Sequence, residues 1–380
     1  MTMPTVTIEA GRHDRRWCPL QFQAPDGLPA AEFYHLDSDG ESIIAEPAGG
    51  ASLRTILPAM RAGEKRTCRV APAEPAERST GVILFCEHGA LNILLGDEVV
   101  TRYVYADVPA RPYFYPLFAP GQTPVTRAYP MYPDARGETR DHPHHRSLWI
   151  AHGEVNGIDN WSEQPGHGFT RHEAFEQIDI GFVAGSFTAR SLWTTPAGDP
   201  ILTERLAVTA WVGGEDLRLL DFDIRLEATH GDVLFGDTKE GGILSVRVAS
   251  ELDVPRTGRI TNVFGGIDES ECWGRAAHWC DYSGAVGGSP VGIAVMDHPH
   301  SFRYPTHWHV RNYGLMTANP FGYTAYTGGI KEGSYTLRIC ESLRFRYRVA
   351  VHRGSCADAD IGGRYLDFVA PPRVTVDGHS

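Results

Sequence analysis

Apolar and polar positions alternate one by one along most of this chain, and almost no stretch keeps apolar residues at helical spacing for three turns. Runs rich in Val, Ile, Thr and aromatic residues recur instead, bounded by Gly, Pro, Asp or Asn, which is the pattern of strands and turns. Candidate strands fall at 5–8, 20–22, 32–35, 42–45 and 67–70. After them, 71–77 mixes Pro, Ala and Glu without periodicity and reads as a connector. Further strands follow at 82–86, 91–95, 99–105, 182–192, 201–212, 217–226, 233–235, 243–249, 291–296, 335–341 and 343–352. Within 220–226 apolar and charged residues alternate strictly, so one face is buried and the other is wet or lines a groove. The pattern predicts an all-β protein. A small N-terminal β-rich domain or extension, 1–78, precedes a large antiparallel sandwich, 79–380, which carries the site.

Composition narrows the class. The 41 glycines and 26 prolines disfavour helices and populate turns. With 35 basic against 47 acidic residues the net charge is −12, which disfavours binding to phosphate backbones, so no nucleic-acid partner is expected. Seven cysteines, at 18, 68, 86, 272, 280, 340 and 356, are odd in number and include no Cys-x-x-Cys pair, which fits reduced thiols in a cytoplasm. No run approaches the roughly 18 apolar residues of a membrane helix, and the N-terminus lacks an export pattern, so neither membrane insertion nor export is expected.

Chemistry concentrates in two histidine windows. The first is Arg140-Asp141-His142-Pro143-His144-His145-Arg146, followed by Trp149 and His152; the second holds His298, His300, His307 and His309, with Arg303, Tyr304, Trp308 and Arg311 interleaved. Titratable groups are costly to bury unpaired, so such clustering suggests that both windows line one polar pocket. Three readings stay open. A histidine acts as acid or base, with unperturbed imidazole titrating near pH 6.5, while arginines hold a polyhydroxylated or anionic substrate. Alternatively His142 and His144, or His307 and His309, give two imidazoles to a divalent metal with a carboxylate completing the set; no other cofactor is expected. The plainest alternative is a pair of surface loops satisfied by Asp141 and backbone.

A third segment, Gly236-Asp237-Thr238-Lys239-Glu240-Gly241-Gly242, offers two carboxylates around a cation. Asp237 and Glu240 could form the acid/base pair of glycoside cleavage, with Lys239 tuning one of them, or the segment could simply be a hairpin tip. Aromatic faces near the windows, among them Tyr113 and Trp161, suit sugar rings, though core packing accounts equally well for Trp149 and Trp161. Asn319, in the turn Asn319-Pro320-Phe321-Gly322, either faces the pocket or ends a strand. No phosphate loop and no nucleophile elbow appears.

These residues carry a resemblance. Arg111-Pro112-Tyr113-Phe114-Tyr115-Pro116-Leu117, Asp141 through Trp149, Ala151-His152-Gly153, Asn156-Gly157 and Trp161 resemble a bacterial family labelled "methane oxygenase PmoA" or left as a domain of unknown function. Asp237 through Gly242, Asp281-Tyr282-Ser283-Gly284, Asp297-His298-Pro299, Trp308-His309-Val310-Arg311 and Ala318 through Gly322 continue the series. A membrane-embedded oxygenase subunit needs apolar spans, which this chain lacks. What the resemblance implies is a soluble protein found among bacterial sugar-catabolism and oxidoreductase genes, with a supersandwich similar to galactose mutarotase-like proteins, which use His and carboxylate residues for acid-base work on a sugar. Carried onto the matching motifs, it points to His142, His144, His145, Asp237, Lys239 and Glu240 as catalytic candidates. Arg111, Tyr113, Arg146, His152, Trp161, His307, Trp308, His309 and Asn319 are the substrate-binding candidates.

The expectation is a carbohydrate-active enzyme, a hydrolase, lyase or epimerase, acting on a small-molecule sugar. A non-catalytic sugar-binding or regulatory protein and a metal-dependent enzyme acting on an oxidised sugar are the alternatives. Homo-oligomerisation is left open.

Overall fold

The computed structural model describes residues 3–73 and 81–376. Its first six strands are β1 (Thr5–Glu9), β2 (Arg15–Gln23), β3 (Phe33–Ser38), β4 (Glu41–Pro47), β5 (Ser52–Met60) and β6 (Lys65–Ala73). They are followed by β7 (Val82–Glu87), β8 (Ala90–Leu95), β9 (Glu98–Val104), β10 (Tyr113–Ala119), β11 (Thr123–Pro124), β12 (Leu148–His152), β13 (Phe169–Asp179), β14 (Ala184–Thr194), β15 (Pro200–Trp211) and β16 (Leu217–Glu227). Then come β17 (Val233–Phe235), β18 (Gly241–Arg247), β19 (Arg259–Asn262), α1 (Asp268–Cys272), β20 (Trp279–Val286), β21 (Ser289–Asp297), β22 (His307–Arg311) and β23 (Leu315–Asn319). The chain closes with α2 (Tyr323–Tyr326), β24 (Tyr335–Leu337), β25 (Ser342–Arg353), α3 (Ile361–Val369) and β26 (Arg373–Val376). The protein is all-β, and its named strand pairs are antiparallel. No helix among the described residues is long and apolar enough to cross a membrane.

Three sheets hold nearly all the strands. The first runs β2-β5-β4-β3-β6-β1-β26, so the final strand returns to pair with β1, Val6 opposite Val376. The expected connector begins inside β6, which extends to Ala73, and 74–77 lies outside the described residues, as does the 78/79 division. A nine-stranded sheet runs β22-β23-β18-β12-β10-β9-β8-β7, with β11 attached to β10, and an eight-stranded sheet runs β13-β14-β15-β16-β25-β21-β20-β19.

The two large sheets face each other across one apolar core. Tyr103 and Phe114 of the nine-stranded sheet meet Phe187 of the other at ring distances of 5.3 and 6.5 Å, and Phe114 meets Phe222 edge-on at 5.2 Å. Period-2 alternation produces this arrangement: in β16, Leu220, Phe222, Ile224 and Leu226 enter the core while Asp221, Asp223 and Arg225 face outward. Burying so many large apolar side chains at about 25 cal/mol per Å² makes this core the main source of stability.

The nine-stranded sheet is covered on its outer face as well. Leu244 and Val246 of β18 point into the sandwich, whereas Ser245 and Arg247 point the other way and are still buried. Trp149, Ala151, Trp161 and Leu315 form a small separate cluster on that outer face, edged by Tyr113 and Tyr313. That covered outer face is where the chemistry gathers.

Candidate functional site

Register alone assembles a row across five strands. Tyr113 of β10 stands opposite Trp149 of β12, Trp149 opposite Ser245 of β18, Ser245 opposite Thr317 of β23, and Thr317 opposite His309 of β22. Strands lie about 4.8 Å apart, so the row spans roughly 19 Å and brings His309 of the second window to the face that the first window covers. Ser245 Oγ and Thr317 Oγ1, 2.6 Å apart, tie its middle. Loops 127–146, 156–163 and 237–240 supply the remaining groups.

At one end the loop before β12 is organised by two fully buried arginines. Arg247 donates to both oxygens of Asp141, at 2.9 and 3.0 Å, and Arg127 donates to Asp141 Oδ1 at 3.0 Å and to the carbonyls of Asp141 and His142 at 2.8 and 2.9 Å. Burial pushes the Asp141 carboxyl upward. Hydrogen bonds from Arg247 and His142 and the two guanidinium charges outweigh it and hold the group well below the carboxylate range. Asp141 Oδ2 lies 2.5 Å from His142 Nδ1. An ionised carboxylate only accepts, so Nδ1 carries a proton and Nε2 is the nitrogen left to exchange one. His142 keeps 41% of its side chain exposed, sits at φ +43°, and stacks on His145 (4.7 Å, 7°) and Tyr313 (5.0 Å, 10°). A left-handed backbone is costly for a residue with a Cβ, and such strain gathers at functional sites.

His145 lies beneath. Its Nδ1 accepts from Arg247 at 3.3 Å, and because a guanidinium only donates, His145 carries its proton on Nε2. Burial first, then the charges of His144 and Arg247, push its pKa far down. His144, half-buried and edge-on to Trp161, is lowered to about 4 by burial, with His142 and Arg111 adding to the effect. Arg146 forms a two-pronged pair with Glu163 at 2.7 and 2.8 Å and lies over Tyr113. Arg111 is buried, and its Nη2 reaches the carbonyl of Ser162 at 3.1 Å.

Glu240 lies between the windows. Burial raises its carboxyl, but its contact with Lys239 and the nearby His309, Lys239 and His142 bring it below the usual value. A Cβ on Gly153 would run into the Glu240 carbonyl, so glycine there lets the loop press against β12. His309, unlike the exposed Glu240, is buried and donates from Nδ1 to the Lys239 carbonyl at 2.5 Å, leaving Nε2 unprotonated; burial lowers its pKa to about 4. Beyond it, His307 stacks on Tyr326 (5.7 Å, 8°), which meets Trp273 edge-on at 5.3 Å.

Other predicted site residues have different placements. Asp237 accepts from Thr324 Oγ1 at 2.5 Å, Gly333 N at 2.6 Å and Thr324 N at 3.0 Å, so its carboxylate organises the 324–333 segment. Asn319 uses both ends of its amide on backbone, donating to Thr238 O and accepting from Phe321 N and Gly322 N. Trp308 sits in the sandwich core and donates to Ala277 O at 2.9 Å. His152 is fully buried between Phe235 and Phe321 and bonds the Gly236 carbonyl. Trp149 and Trp161 pack on each other at 5.3 Å and are almost wholly buried. His298 and His300 stay apart, packed against each other and, through His298, on Phe368 of α3. Arg127, Arg247, Glu163 and Tyr313 were missed. An arginine inside the apolar run 243–249 was the signal for Arg247.

Among the described residues no three His, Cys, Asp or Glu side chains converge as a metal-holding group. His142 and His144 stand 5.8 Å apart at 74°, and Asp141 already engages one nitrogen of His142.

Comparison with known proteins gives a family and a distant structural likeness. No curated protein matches the sequence. Among solved structures, an alpha-galactosidase from Lactobacillus brevis superposes with a TM-score of 0.31 at 6% identity, over 90% of this chain and 40% of that one. Residues 90–365, which contain the whole five-strand row and both histidine windows, match a family of unknown function, DUF6807, and the chain belongs to that family.

Proposed function

We propose that this chain is a carbohydrate-active enzyme that moves a proton to or from a sugar at the outer face of the nine-stranded sheet. His142 is the acid or base, Asp141 orients it, and Glu240 is its carboxylate counterpart. One observation carries the reading: an exposed imidazole is hydrogen-bonded at 2.5 Å to a carboxylate that two buried guanidinium groups keep ionised. That arrangement fixes the tautomer and ring direction, as the third member of a triad does.

The proton-transfer reactions, elimination or epimerisation, fit better than hydrolysis by an Asp237/Glu240 pair, because Asp237 is committed to the 324–333 backbone. Rings of Tyr113, Tyr313 and His142 beside Arg146 and Glu240 offer the mix of flat faces and polar edges that sugars need. The reading invokes no cofactor.

The test is a screen of glycosides, uronides and their keto derivatives, followed by NMR in D₂O, with wild type and His142→Ala. Wild type should consume substrate or exchange a carbon-bound proton, and the variant should lose about 10²- to 10⁴-fold in rate while keeping sugar affinity. Sugar binding by wild type without turnover would instead make this a binding protein, and an equally active His142→Ala would remove the dyad from the chemistry.

A further inference from the structure

The strongest unabsorbed feature is Arg111. The residue is 3% exposed, and its Nη1 is sealed from solvent without meeting any acceptor. Both neighbouring acids are already committed. Asp159 accepts from Trp161 N at 2.7 Å, Ser162 N at 2.9 Å and Ser162 Oγ, while Glu163 gives both oxygens to Arg146. Burial depresses the Arg111 pKa to about 10, the charges of Glu163 and Asp159 recover part of the loss, and Arg146 adds repulsion. A buried cation lacking a direct anionic partner is costly, and a protein that keeps one commonly uses it on a ligand. His144 is half-buried, feels the charges of both Arg111 and His142, and meets the His142 ring edge-on at 5.8 Å.

We propose, resting on the sugar-directed reading above, that the substrate is an acidic sugar whose carboxylate is received by Arg111, with His144 and Arg146 beside it. The carboxylate supplies the acceptor that Nη1 lacks, and it sets the sugar in one orientation toward His142. The fork of a guanidinium matches a carboxylate in geometry as well as charge.

Calorimetric titration with hexuronic acids and the hexoses of matching configuration tests this without requiring turnover. Wild type should bind at least one uronate ten-fold or more tighter than its neutral counterpart, and raising salt should narrow the gap only partly because the site is buried. In Arg111→Gln the preference should fall to within about two-fold. Arg111→Lys, which keeps the charge but not the fork, should retain part of it and serves if the glutamine variant does not fold. Equal binding of acid and neutral sugar, binding of neither in every pair, or a preference that survives in Arg111→Gln overturns the proposal. Uronate binding without turnover would leave it standing and remove the proton-transfer reading; turnover of neutral sugars with no acid preference would do the reverse.

Discussion

Arg247 holds both oxygens of Asp141, and its Nη1 also reaches His145 Nδ1, so one buried side chain fixes a carboxylate and the tautomer of an imidazole together. Removing the carboxylate leaves Arg247 and Arg127 buried and uncompensated. Breaking a fully buried pair costs about 3–5 kcal/mol. Asp141 keeps over a third of its side chain in water, so Asp141→Asn should cost less, on the order of 2 kcal/mol. His142→Ala should change stability by under about 1 kcal/mol, because the ring is exposed. Urea denaturation of the two variants checks the contrast, and equal losses would mean that the arginines do not depend on Asp141.

The buried histidines set a pH window for stability. His152 is held near 4 by burial, against about 6.5 in an unfolded chain. Between those values the unfolded state binds more protons, so stability rises with pH there and is lost as pH falls from 6.5 toward 4. His144 and His309 act in the same direction. In His152→Gln, the stability difference between pH 7 and pH 4.5 should shrink by on the order of 2 kcal/mol. An unchanged difference would show that His152 is protonated in the folded protein.

Glu204 should behave with the opposite sign. Buried beside Trp193, whose Nε1 donates to Oε2 at 2.9 Å, it is raised by burial to about 7. Between about 4.3 and 7 the folded state now binds the extra proton, so the group stabilises at low pH and that contribution is lost as pH rises through 7. Glutamine keeps an acceptor for Trp193 and cannot ionise. Glu204→Gln should therefore gain on wild type as pH rises from 4.5 to 8, by on the order of 3 kcal/mol, seen as diverging melting temperatures. Parallel melting curves across that range would disprove the assignment.

The sequence revealed some strands whose two faces differ sharply, but missed others, such as β10 and β13. The 217–226 expectation matches β16 to within one residue because Asp221, Asp223 and Arg225 face outward between core residues. The strands that carry the site were the hard ones. β12 and β23 are buried at every position, so Leu148–His152 and Leu315–Asn319 show no period-2 contrast to read. The histidine windows were legible as composition, but their union depends on the non-local register that sets Trp149 and His309 in one row through Ser245 and Thr317. Nothing local separates His309, which joins the row, from His298, which packs under α3. Asp237 and Glu240 look equivalent three residues apart, and only the fold commits one to backbone and leaves the other paired with Lys239 within the field of two imidazoles.

That division between the two acids yields a final prediction. Asp237 holds Thr324 and Gly333, and the same segment carries Tyr326, whose ring stacks on His307 and meets Trp273 near His309. Asp237→Ala should cost about 2 kcal/mol through the lost hydrogen bonds to a charged acceptor, and should raise KM by loosening Tyr326, leaving the pH dependence of kcat unchanged. Asp237→Asn keeps one acceptor oxygen and should restore a good part of both stability and KM. A general acid or base shows the reverse pattern: asparagine cannot replace a transferable proton, kcat collapses, and one limb of the pH profile disappears. Glu240→Gln should follow that second pattern, since its carboxylate pairs with Lys239 and feels the charges of His309 and His142 rather than holding a backbone loop. If the two acids respond alike, the distinction drawn from their hydrogen bonds is wrong and the pair must be treated as one unit.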